Sequence, residues 1–126
     1  MPWQFDSSTG NLTDPNGVFV ESGYAGGFLG TVPDAINNPA YQYTPDVGPL
    51  PVGLYTMGDA VEGTHLGPLA IPLHPDPNND MRGRGGFYCH GDHIGAPGTA
   101  SDGCIIMSHS TRLLLSASTD RQIQVV

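Results

Sequence analysis

Apolar residues along this chain fall in short runs separated by turn-forming clusters, and most of the runs are too short to make a helix. Asp6-Ser-Ser-Thr-Gly10 and Asp14-Pro-Asn-Gly17 punctuate three strand-sized segments, Pro2 to Phe5, Asn11 to Thr13 and Val18 to Glu21. The spacing predicts an N-terminal β-meander. Leu54 to Met57, Leu69 to Ile71 and Gly86 to His90 are further strand candidates, bounded by turns such as Gly48-Pro-Leu-Pro51 and Pro75-Asp-Pro-Asn78. From Gly23 to Gly53 glycine, proline and asparagine predict a long irregular loop able to wall a cleft, with one short helical turn at Asp34 to Asn38 before Pro39. Helix grammar follows only after Cys104. There Ser108 can cap a segment from His109 to about Ser118, with Leu113, Leu114 and Ala117 as its apolar face. Gln122 to Val126 returns to the sheet. The class that emerges is mainly β with one short helix, arranged as a β-sandwich or a small barrel.

Length and charge narrow the picture. A chain of 126 residues without a long polar linker fits one domain spanning 1–126. Its 18 glycines and 12 prolines are interspersed with Trp3, tyrosines and apolar runs, which is the mixture of a turn-rich β protein, not of disorder. A net charge of −8, with arginine as the only cationic residue type, repels a phosphate backbone and disfavours nucleic acid and anionic membranes as partners. No run approaches the ~20 apolar residues that span a bilayer, and Met1 to Asp6 lacks the basic start of a secretory leader. A role outside the cytoplasm then calls for export by another route.

The candidate chemistry lies in Phe87-Tyr-Cys-His-Gly-Asp-His93 and Ala100-Ser-Asp-Gly-Cys-Ile-Ile106, which put His90 fourteen residues before Cys104. A thiol is a poor nucleophile until it loses its proton, so a catalytic cysteine needs an adjacent imidazole, and the imidazole needs a group to fix its ring. His90 and the backbone at Gly91 can fill those roles. Gly103 permits a tight turn that aims the amides of Gly103 and Cys104 at a developing oxyanion. Spacing alone leaves open that both residues merely pack.

The block resembles the His-Gly and Ser-x-Gly-Cys-Ile signature of the L,D-transpeptidase (YkuD-like) catalytic domains. Gly48-Pro-Leu-Pro-Val-Gly-Leu-Tyr55 is similar to the Pro-x-Gly-x-Tyr segment that leads into a strand in that family. Within the superfamily the chain is most similar to the short type VI secretion effectors, through Trp3, Gly23-Tyr-Ala-Gly26 and Ser101-Asp-Gly-Cys-Ile105. Over nearly the full chain, the resemblance implies a minimal catalytic domain with Cys104 as nucleophile, His90 as base and the Gly91 carbonyl orienting His90. It also implies an oxyanion hole at the Gly103 and Cys104 amides, with Ser101 supporting the loop or facing substrate. The implied substrate is the peptidoglycan tetrapeptide stem, cut or exchanged at the diaminopimelate–D-alanine bond, with no cofactor. The implied setting is an antibacterial toxin in a neighbour's periplasm, with an immunity protein and secretion machinery as partners. A phage wall-modifying enzyme and an inactive wall-binding module are the alternatives.

One position departs from the family pattern. Many relatives carry histidine or arginine just before Gly-Cys, where this chain has Asp102, whose carboxylate would raise the thiol pKa if it pointed inward. It is expected to face solvent or to bond the loop. Asp92 is a substrate-binding candidate or an ordinary turn residue, and Tyr88 is a further substrate-facing candidate. Arg82 and Arg84 could grip a stem carboxylate with a planar fork or lie on a solvated loop. His93 with His90, Asp92, His109 and Cys104 makes a metal site conceivable, but the spacing fits no common zinc motif and none is expected. His65, His74 and His109 read as surface or structural histidines. Cys89 alternates away from His90, which suits a small buried hydrophobe, although a Cys89–Cys104 disulfide is an alternative.

Overall fold

The short apolar runs become strands in the computed structural model, which describes residues 1–62 and 65–126. Strand β1 (Trp3–Phe5) buries Trp3 and Phe5 and exposes Gln4, and β2 (Asn11–Thr13) buries Leu12, as period-two alternation requires. The turns between them are held by carboxylates. Asp6 accepts from the Ser8 amide at 2.9 Å, and Asp14 accepts from the Asn16 and Val18 amides at 2.9 and 3.0 Å. Strand β3 (Phe19–Ser22) completes the meander; β4 (Tyr24–Ala25), β5 (Gly53–Met57), β6 (Ile71–Pro75), β7 (Phe87–His90) and β8 (Ile105–Ile106) follow. Helix α1 (His109–Ala117) and β9 (Gln122–Val125) end the series.

The nine strands of the described residues hydrogen-bond into one mixed sheet in the order β3-β2-β1-β9-β5-β6-β7-β8-β4. The fold is mainly β with one short helix. The two outermost strands, β3 and β4, are separated in the chain by Gly23 alone, so the sheet must curl until its edges nearly meet, as in a barrel. At that joint the Gly23 amide donates to the Gly10 carbonyl at 2.8 Å, and a Cβ on Gly23 would lie 2.0 Å from the Ile106 carbonyl oxygen. Only glycine lets the joint pass so close to β8.

The interior is filled by Phe5, Leu12, Leu50, Tyr55, Ile71, Ile105 and Ile123, all fully buried, each contributing about 1.5–3 kcal/mol of hydrophobic stabilisation. Pro49-Leu50-Pro51, which reads as a turn, is also fully buried. It lies under the Cys104 loop, with the Leu50 amide donating to the Gly103 carbonyl at 3.0 Å and the Tyr55 hydroxyl donating to the Pro51 carbonyl at 2.6 Å.

Two elements differ from the sequence-based expectation. The strand read at Leu69 to Ile71 lies at Ile71–Pro75 instead. Leu69 has a left-handed φ of 55°, while Ile71 and Leu73 point into the core between β5 and β7. Pro72 and His74 alternate outward, and Pro75, which read as the start of a turn, is exposed at the strand's end. In α1 the Ser108 hydroxyl accepts from the Thr111 amide, as its sequence predicts, but Leu113, Leu114 and Ala117 face solvent. Leu113 is 50 % and Leu114 55 % exposed, and Thr111, Arg112 and Leu115 face inward, because the Arg112 guanidinium is drawn to buried carbonyls beneath the helix. The expected helical turn is a 3-10 turn at Pro33–Ala35, and a second occupies Pro39–Tyr41.

Candidate active site

Strands β7 and β8 run parallel, with Cys89 opposite Ile105 and His90 opposite Ile106. Parallel register places paired residues on one face and alternates faces along each strand. Cys89 and Ile105 therefore point into the hydrophobic core, where both are found, and the same alternation, carried one residue before β8, assigns Cys104 to the face of His90. Their Cα atoms are offset by two residues along the strands and one strand across. That diagonal is roughly 8 Å, a separation an imidazole and a thiol are long enough to bridge. Both cysteines are free, and the alternation that separates Cys89 from Cys104 removes the basis for pairing them.

His90 is buried, and its Nδ1 lies 2.9 Å from the Gly91 carbonyl oxygen. A carbonyl only accepts, so Nδ1 carries the proton and Nε2 keeps the lone pair that a base needs. Burial holds the His90 pKa below the ordinary histidine value, against the opposing pull of the Gly91 carbonyl. Burial likewise pushes the Cys104 thiol up to about 11, partly offset by the Tyr88 amide that donates to Sγ at 3.4 Å. At neutral pH the resting pair is thus thiol and neutral imidazole. Asp102 is exposed, and its carboxylate adds a smaller upward push on Cys104 than burial does.

The loop before Cys104 is fixed from inside. Ser101 is 0 % exposed; its hydroxyl accepts from the Gly26 amide at 2.8 Å and the Gly103 amide at 3.1 Å and donates to the Cys104 carbonyl at 2.6 Å. Those bonds bear on two expectations. Ser101 supports the loop, the first of the two roles read for it, with its side chain fully buried, and the Gly103 amide is engaged by Ser101, which leaves the Cys104 amide as the candidate oxyanion donor from this turn. Gly103 is required for another reason: its φ is +147°, and a Cβ there would lie 2.7 Å from Arg84 Nη2 and from Phe87.

Arg84 is also used internally. Nη1 donates to the Gln42 and Pro49 carbonyls at 2.6 and 2.8 Å, and Nη2 donates to the Gly48 and Asp102 carbonyls at 3.1 and 3.2 Å. It ties the 42–49 segment to the nucleophile loop instead of offering a fork to a carboxylate. Arg82 forms an exposed ion pair with Asp80 at 3.3 Å and stacks over Tyr43 at 4.0 Å. With Arg84 it lines a small cleft of about 280 Å³.

A larger cleft of about 1090 Å³ opens on the other side, walled by His90, Gly91, Asp92 and His93, the Gly23–Tyr24 edge and the start of α1. Asp102 borders both clefts, and Cys104 lines neither. The candidate base lines the larger cleft, and the candidate nucleophile is 5 % exposed. Asp92 organises the rim: its carboxylate accepts from the Tyr24 hydroxyl at 2.6 Å, the His93 amide at 2.9 Å and the Gly98 amide at 3.0 Å. Burial pushes its pKa up, but these bonds outweigh that and hold it below the usual carboxylate range. Tyr88 is half-buried, and it meets Sγ through its amide.

His65 and His109, which read as surface or structural histidines, line the larger cleft with His90 and His93. His93 Nδ1 lies 2.9 Å from Thr99 Oγ1. Among the described residues, no group of three or more His, Cys, Asp and Glu side chains is placed to hold a metal ion. The sequence reading missed Arg112, which is buried beside Gly91. An arginine inside a Leu-rich helix gives no local signal that it points inward.

The model of one protein family, the Tlde1 domain, matches residues 25–125. No curated protein matches the chain.

Proposed function

Since the chain belongs to the Tlde1 domain family of type VI secretion effectors, which are L,D-transpeptidase-like, we propose that residues 1–126 act as one cysteine-dependent catalytic domain on peptidoglycan stem peptides. The reaction we assign is cleavage or exchange at the diaminopimelate–D-alanine bond of tetrapeptide stems. The reading is supported by the parallel β7–β8 register, whose alternation assigns Cys104, one residue before β8, to the face of His90, and by the His90 Nδ1 bond to the Gly91 carbonyl.

The resting thiol and neutral imidazole set the first step. As substrate enters, the Cys104 proton passes to His90 Nε2 and the thiolate attacks the carbonyl carbon of the diaminopimelate L-centre. The tetrahedral oxyanion takes the Cys104 amide as donor. Collapse breaks the C–N bond, His90 returns the proton to the leaving amine, and D-alanine departs from a thioester acyl-enzyme. Water then gives L,D-carboxypeptidase action, a free D-amino acid gives exchange, and the amine of a second stem gives a cross-link. In each case His90 takes the acceptor's proton and the thiol is regenerated.

An antibacterial role places the action in a target cell's periplasm after delivery by the secretion machinery, and an immunity protein that blocks the cleft is the expected partner. The test incubates the protein, and Cys104→Ala beside it, with disaccharide-tetrapeptide fragments and a free D-amino acid, and reads products by mass spectrometry. Loss or replacement of D-alanine by the unmodified protein alone supports the reading. Unchanged fragments under reducing conditions sink it.

A further inference from the structure

Three of the four arginines are anchored by backbone carbonyls, and Arg112 differs from the other two in what it leaves open. Arg84 engages both terminal nitrogens, as does Arg121, whose Nη1 donates to the Leu115, Ser116 and Ser118 carbonyls and Nη2 to Met57 and Gly58. Arg112 is 6 % exposed. Its Nε donates to the Met107 carbonyl at 3.1 Å, and its Nη1 donates to the Pro68 and Leu69 carbonyls at 2.7 and 3.2 Å. Nη2 has no protein acceptor among the described residues. Since no buried side-chain nitrogen or oxygen among them lacks a partner, Nη2 keeps contact with the larger cleft, whose wall includes Arg112. It lies 2.7 Å from the point a Cβ on Gly91 would occupy, beside the dipeptide that carries the candidate base.

We propose that Arg112 is a substrate-binding residue whose Nη2 takes a carboxylate of the stem peptide in the large cleft, an inference that rests on the enzymatic reading above. A guanidinium already fixed at Nε and Nη1 presents its remaining N–H groups in a set direction, so binding an anion there costs little further side-chain ordering. The nearby acids are otherwise engaged. Glu21 accepts from the Ser108 amide and hydroxyl, and Asp92 from Tyr24, His93 and Gly98, while Asp102 stands at the far rim. Among the described residues Arg112 has no carboxylate within ion-pair distance, so its charge is available to a ligand. The absence of a side chain at Gly91 keeps the guanidinium uncovered on that flank.

A tetrapeptide stem offers two carboxylates near the scissile amide: the D-alanine terminus and the side-chain carboxylate of diaminopimelate. The experiment separates them by titrating Cys104→Ala protein, which leaves fragments intact, with the native fragment and with fragments amidated at one carboxylate or the other. Calorimetry is repeated on the same protein carrying Arg112→Gln. Expected is a roughly tenfold to hundredfold rise in Kd on amidating the engaged carboxylate, a similar rise for Arg112→Gln with the native fragment, and no further rise when the two changes are combined. Arg112→Lys, which keeps the charge but loses the fork, should fall between, and it carries the test if Arg112→Gln fails to fold. Equal weakening of all three fragments by Arg112→Gln means a purely structural arginine and overturns the proposal, as does carboxylate-independent binding. Absence of turnover by the unmodified protein would instead strike the enzymatic reading, and carboxylate-dependent binding would still separate the two failures.

Discussion

Two loops flank the candidate site, and each is organised by one polar side chain that collects backbone groups. Between residues 100 and 103 the collector is Ser101, buried and joined from outside by Arg84. Between residues 92 and 98 it is Asp92, which gathers the Tyr24 hydroxyl and the His93 and Gly98 amides in contact with solvent. The same device has different strength in the two settings. A buried amide or carbonyl deprived of its partner has no water to turn to, whereas an exposed one does. The loop carrying Cys104 is therefore held to one geometry, and the loop bordering the cleft can adjust to what enters.

The sharpest break in that comparison comes at the reacting atoms. Cys104→Ala should abolish release of D-alanine, and His90→Ala should slow it by about a hundredfold or more, in mass-spectrometric turnover assays. Both proteins should keep the unmodified protein's folded-state spectrum. If the buried loop is as fixed as its bonds imply, Ser101→Ala leaves the Gly26 and Gly103 amides and the Cys104 carbonyl without a partner. The expected loss is about 2–4 kcal/mol by urea unfolding. Arg84→Gln, which strips four carbonyls of their donor, should follow at about 2 kcal/mol, with turnover falling as the Cys104 loop loosens. Asp92→Asn keeps an acceptor but loses its charge in a solvated loop. A change within about 1 kcal/mol is expected, with the effect appearing mainly in KM.

The smallest effect expected is in pH dependence. His90 must be neutral to accept the thiol proton, and burial depresses its pKa, so kcat/KM should stay level as pH falls to the ordinary histidine value and decline only below it. The same shift bears on stability. Below the unfolded-state value the unfolded chain takes up a proton that the folded chain resists, so stability falls as pH drops through that range. For Cys104 the sign reverses. Its folded pKa is raised to about 11, so stability is full below the ordinary thiol range and declines as pH rises above it. Slow alkylation of Cys104 by iodoacetamide at pH 8, compared with a small free thiol, would check the raised value.

What was legible in the sequence follows from how local each feature is. The meander, β5, β7, β9 and the Ser108 cap were readable because turn residues and alternation act within a few positions. His90, Gly91 and Cys104 were legible as a pattern, and the Nδ1 bond to Gly91 fits the role read for that glycine. Strands β4 and β8, two residues each, exist only because Tyr24 and Ala25 find Ile106 and Ile105 across the sheet, and no local signal encodes that. Arginine was the systematic difficulty. Read as charge, Arg84 suggested a ligand; in three dimensions its donors answer backbone carbonyls brought in from residues 42–49, far away in sequence.

The position of β9 has a consequence for the time course of assembly. It lies between β1 and β5, and Trp3 Nε1 donates to Ser118 Oγ at 2.9 Å across a separation of 115 residues. The meander therefore has no partner on its inner side until residues 122–125 have left the ribosome. Contacts this distant in sequence form slowly, because the loop that joins them must close before they can reward it. The inner edge of the meander therefore stays open while the residues between it and β9 are synthesised.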